Sequence, residues 1–184
     1  MDDNANRKKK LPVILGILIL AAGGWLTIKG LPGGSGLSSQ ELIALTNQGL
    51  ASVENIPNKL KNDGTESIRI FSQVVKEAPD AMLGVRNLAI AGVLAVEKQY
   101  AKRDEALERY NLSLDLARKA LSSLREADPD SGIVDMLEAK LHVTLEDEAR
   151  AAELFRAAYE KNPDDQIALM ELFALLRNAQ GPER

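Results

Sequence analysis

Residues 128–165 read DPDSGIVDMLEAKLHVTLEDEARAAELFRAAYEKNPDD, and this stretch decides the fold. It opens on Asp128-Pro129-Asp130 and closes on Asn162-Pro163-Asp164. Between the two stops, apolar residues return at helical spacing over 133–145 and again over 148–161. Proline lacks the N–H that a helix needs and clashes with the turn before it, so each stop ends a helix. The result is a helix, a tight turn, a second helix and a stop, with 34 residues from one proline to the next.

A third stop, Ala78-Pro79-Asp80, lies upstream. Aligned on their prolines, the three units show a shared pattern. Twelve residues before the proline stand Ser67, Ala117 and Ala151; eight before stand Phe71, Leu121 and Phe155; five before stand Val74, Leu124 and Ala158. The first helix of each unit is read as bulky, bulky, small, bulky. Leu42, Leu45, Thr46 and Gly49 fit, as do Val85, Leu88, Ala89 and Gly92, apart from Gly92 at a place that is usually large. Val134, Leu137, Glu138 and Leu141 fit apart from Glu138, and Leu169, Leu172, Phe173 and Leu176 begin a fourth unit of one helix. Small residues let two helices approach, and bulky ones fill the seam between them. The remaining helices are expected over 65–77, 81–99, 103–127 and 166–178, and no period-two strand pattern follows Gly36. Ser38-Ser39-Gln40-Glu41 has the form of a capping box at the start of the first helix.

On these residues the chain resembles the tetratricopeptide repeat family over 38–184, in degenerate form. The resemblance implies an all-α fold: an α-solenoid of about three helical hairpins with a C-terminal capping helix. The interval from Pro79 to Pro129 is 50 residues, sixteen over period, and the excess falls in Val96–Tyr110. Asn55 to Gly64 is an added loop. A plain antiparallel helical bundle with coincidental Pro-Asp stops is the competing reading. Val85-Arg86-Asn87-Leu88-Ala89-Ile90 after Ala-Pro-Asp also resembles, more weakly, the repeat segment of bacterial ASPIC/UnbV proteins, of which this chain would be a truncated relative.

Ahead of the repeats, Leu11 to Ile28 reads LPVILGILILAAGGWLTI and carries no charge. Eighteen helical residues span roughly 27 Å, close to the thickness of a bilayer's hydrocarbon core. Arg7, Lys8, Lys9 and Lys10 precede the run, and Trp25 lies near its far end. Residues 1–28 carry +2, which leaves −6 on the rest. The expected organisation is a basic cytoplasmic tail (1–10), a transmembrane helix contacting the lipid bilayer (11–29), a Gly-rich linker (30–37) and a repeat domain (38–184) on the outer, periplasmic or extracytoplasmic side. A cleaved signal peptide, leaving the body secreted, is the alternative.

Composition narrows the chemistry. The chain has no Cys, which excludes disulfides, thiol catalysis and Cys-ligated metals. Its single His excludes a multi-His metal site, and a net charge of −4 argues against nucleic acid as partner. Glu146-Asp147-Glu148 and Asp164-Asp165 lie at helix starts, where carboxylates suit the positive end of the dipole, and lack calcium-loop spacing. Glu105 and Arg109 are expected to pair at i,i+4 on a solvated face. No catalytic residue, cofactor or metal is expected. A hydrolase using His142 is the minor alternative.

What remains is a surface for protein. The family's concave groove, lined by first helices, implies a peptide or partner helix against Ile43, Asn47 and Leu50, then Leu83, Arg86, Ile90 and Val93, then Asp135, Ala139 and His142. Asn47 and Asn87 fall on asparagine positions that some members use to grip a C-terminal carboxylate. The cation positions hold Ile43, Gly132 and Met136, so that clamp is not expected. The expectation is a membrane-anchored, non-catalytic scaffold or assembly factor. The alternative is an accessory subunit of an envelope enzyme or secretion complex.

Overall fold

A computed structural model of the chain describes residues 37–56, 63–164 and 166–179. These form seven helices and no strand: α1 (Ser39–Glu54), α2 (Thr65–Glu77), α3 (Met82–Tyr100), α4 (Leu107–Ala127), α5 (Gly132–Thr144), α6 (Glu148–Lys161) and α7 (Gln166–Ala179). The fold of the described residues is all-α. No helix among them is long and apolar enough to cross a membrane; the Leu11–Ile28 run lies outside the described residues.

Local chemistry sets the helix ends. Glu41 N–H donates to Ser38 Oγ at 3.3 Å while Ser38 N–H donates to Glu41 Oε2 at 2.8 Å, closing the expected capping box on α1. The three proline stops share one backbone conformation. The residue before each proline sits at φ −140, ψ 71 (Ala78), φ −143, ψ 80 (Asp128) and φ −140, ψ 81 (Asn162). Each of these residues still donates its N–H to the carbonyl four residues back, at 2.9, 2.8 and 3.1 Å. Proline forbids the helical conformation just before it, so three similar sequences turn the chain in three similar ways.

Packing follows the aligned positions. Ser67, Ala117 and Ala151 are fully buried, and Phe71, Leu121 and Phe155 are nearly so. Consecutive helices pair as α1–α2, α3–α4 and α5–α6, and α7 packs on α6. α3 also touches α1 and α5, so each hairpin leans on the next. One apolar cluster runs from α1 to α5 and a second from α5 to α7. α5 serves both: Val134, Leu137 and Leu141 face the first, Met136 and Ala139 the second.

Two glycines mark places where backbone meets backbone. A Cβ on Gly92 would lie 2.8 Å from Ala117 Cβ and 2.9 Å from its Cα. That contact explains a glycine where bulk is usual: α3 and α4 meet almost backbone to backbone. The sixteen surplus residues lengthen both helices, to 19 and 21 residues. Their extended ends reach the turn before α2. Gln99 Nε2 donates to Asp63 O at 2.9 Å, and the Arg109 guanidinium pairs with the Asp63 carboxylate. Arg109 therefore reaches across to another helix's start, because Glu105 lies in the turn before α4 and not on its surface.

Gly64 closes the same junction at φ +84, where an added Cβ would come within 2.5 Å of Ala95 Cβ. Gly64→Ala is expected to cost roughly 2–4 kcal/mol, combining left-handed strain with overpacking. Urea titration of the variant against the parent chain measures it, and a loss under about 1 kcal/mol would contradict the contact.

Candidate functional site

The first helices carry the groove residues expected from sequence, and the structure divides them. Ile43 is 40% exposed, Asn47 is exposed, and Leu50, Leu83 and Arg86 are half-buried. These five are open to a partner. Ile90 and Val93 belong instead to the apolar cluster to which α5 contributes Val134, Leu137 and Leu141. They pack between hairpins and do not line an open surface.

The three residues expected on α5 face a different way. Ala139 is fully buried in the cluster that holds Ala151 and Phe155 of α6. The Asp135 carboxylate, 4% exposed, lies 2.7 Å from Arg125 of α4 and 2.7 Å from Lys161 of α6. His142 Nδ1 lies 3.0 Å from Asp147 Oδ2, and Asp147 caps α6 by accepting from Arg150 N–H at 3.2 Å. Ala139 packs against the hairpin partner α6, Asp135 bridges α4 and α6, and half-buried His142 leans on the N-cap of α6. The reason is a slip of one residue in the α5 alignment. Ala139, not Glu138, is the small residue of that helix, and one residue on a helix is a rotation of about 100°.

Asp135 is thus a structural ion. Lys161 Nζ also donates to Pro129 O at 2.9 Å, so one side chain ties the end of α6 to the stop before α5 and to the Asp135 carboxylate. Burial works against the Arg125 charge, but its hydrogen bonds to Asp135 and Glu138 outweigh this and hold its pKa above the ordinary arginine value.

Correcting the register brings forward side chains that the sequence pattern did not single out. Lys140 Nζ donates to Glu171 Oε1 at 2.6 Å, with both side chains largely buried between α5 and α7. Glu97 on α3 lies within reach of both charges. Desolvation raises its pKa above the ordinary glutamate value; Lys140 opposes this and Glu171 adds to it. A carboxylate, an ammonium and a second carboxylate therefore cross three successive first helices. No shared repeat position links them, since they stand 18, 11 and 8 residues after their stop prolines, so the sequence pattern carried no signal for this cluster.

Glu97 makes a pH prediction. Its proton is held more tightly in the folded chain than in the unfolded one, so stability falls as pH rises from the ordinary value of 4.5 through the raised one. Because the side chain retains solvent contact, the effect is modest. Glu97→Gln is expected to flatten that part of the stability profile, read as Tm against pH; a variant with the parent's slope would remove the assignment.

Among the described residues, no group of three or more His, Asp or Glu side chains is placed to hold a metal ion. Compared with protein-family models, curated proteins and solved structures, the chain matches none.

Proposed function

We propose that this chain is a membrane-anchored protein-interaction module whose hairpins stack as a tetratricopeptide-like α-solenoid. The observation that carries the reading is the threefold recurrence of a helical hairpin, with similar stop geometry and the same buried second-helix positions, each copy leaning on the next. Such an array holds its ligand by surface and not by chemistry. Its exposed and half-buried first-helix residues combine apolar contact (Ile43, Leu50, Leu83) with hydrogen-bond donors (Asn47, Arg86), a mix suited to a peptide or helix of a partner protein. The uncharged Leu11–Ile28 run behind a basic cluster supplies the anchor, and the Gly-rich tether keeps the bound partner near the bilayer. Partner proteins are held in place; no reaction is assigned to the chain.

A photo-cross-linking amino acid tests this in the full chain in its native membrane. Placed at Asn47 or Arg86, it is expected to join one and the same protein. Placed at Glu126, exposed on α4, it is expected to join none. Equal labelling from all three sites, or no adduct from the first two, would sink the module reading. For the anchor, the mature chain is expected to retain its first residues and sediment with membranes. An N-terminus near Trp25 would mean cleavage instead.

A further inference from the structure

The α7 helix presents an apolar face that no other helix covers among the described residues. Ten residues after each stop proline stand Ala89, Ala139 and Phe173. The two alanines are fully buried in the clusters shared with α4 and α6, whereas Phe173 is 64% exposed. Met170 and Leu176 beside it are 55% and 43% exposed. This is the face that an antiparallel second helix covers on α3 and α5. On α7 no such helix follows among the described residues. Adjacent exposed apolar side chains of this size mark a contact surface.

We infer that α7 of a second copy of this chain covers the face, antiparallel and about a two-fold axis between Met170 and Phe173. Charge selects that occupant. Exposed Asp164 lies just before α7, and exposed Arg177 lies in its last turn. An antiparallel pair sets Met170 against the partner copy's Phe173 and puts each Arg177 beside the other copy's Asp164. A parallel pair would oppose like charges at both ends. The helix dipoles also favour the antiparallel sense. The interface is isologous, so it closes at two copies.

The chain contains no Cys, so one introduced thiol reports on one position. The experiment is mild oxidation of the full chain in its membrane, read as disulfide-linked dimer. In the inferred register, Phe173→Cys lies next to its own mate across the axis. Gln166→Cys lies about eleven residues, roughly 16 Å, from its mate along the helix. Disulfides need Cα atoms within about 7 Å, so Phe173→Cys is expected to give at least about tenfold more dimer than Gln166→Cys. A mixture of Gln166→Cys and Arg177→Cys chains is expected to restore cross-linking. In the Phe173→Cys chain, Arg177→Glu is expected to lower the yield severalfold, and adding Asp164→Arg to recover it. Met170→Cys serves as the second near-axis site should Phe173→Cys fold poorly. Equal dimer from Gln166→Cys alone, an unchanged yield with Arg177→Glu, or near-axis thiols that join only another protein would overturn the inference.

Discussion

Gly92→Leu is expected to separate the α3–α4 hairpin and cost about 3 kcal/mol or more. A new Cβ at that site meets Ala117 Cβ at 2.8 Å and its Cα at 2.9 Å. Backbone atoms cannot rotate away as a flexible side chain does, so the helices must part and the fully buried Ala89, Ala95 and Val96 nearby lose contacts on α3. Gly92→Ala is expected to cost less. Pairing Gly92→Ala with Ala117→Gly should recover part of that loss, because the two sites share one contact. Denaturant unfolding of the four chains measures the cycle. Additive effects would mean that the two residues do not touch.

Lys140→Met is expected to cost about 3–5 kcal/mol, because it leaves the Glu171 carboxylate, 7% exposed, without its counter-ion. The pair joins α5 to α7, so the lost stability should appear first as fraying of α7 in hydrogen exchange. Replacing both residues, as Lys140→Met with Glu171→Leu, is expected to restore the parent's stability or exceed it by about 1–4 kcal/mol. The reason is that two buried charges cost much to desolvate, and their attraction roughly offsets that cost. A single variant as stable as the parent would show that water reaches Glu171.

Some of this architecture is legible in the chain. The three Pro-Asp stops give the helix ends, because the restriction that proline imposes is local and does not depend on what packs nearby. The second helices are equally legible. Ser67, Phe71 and Val74, with their counterparts in the later units, are all buried where alignment on the prolines puts them. Each lies five to twelve residues before the proline that ends its own helix.

The first helices are harder to read, and the candidate surface depends on them. α5 is apolar on two sides, since it feeds two clusters, so Val134-Leu137-Leu141 offers a pattern as good as the true one. The slip it invites misassigned Asp135, Ala139 and His142 to the groove and left Lys140 and Glu171 unremarked. Buried Ile90 and Val93 show the same limit. Whether an apolar side chain on a first helix faces a partner or the next hairpin depends on where that hairpin sits.

Residue order alone therefore established the helical class of the described residues and the three proline-bounded helix ends, both consequences of backbone restrictions and short-range spacing. Which faces stay open, why Gly92 is small, and how Lys140 finds Glu171 thirty-one residues away were settled by packing between hairpins. Rotation of a helix about its axis is undetermined until its neighbours bury one side of it.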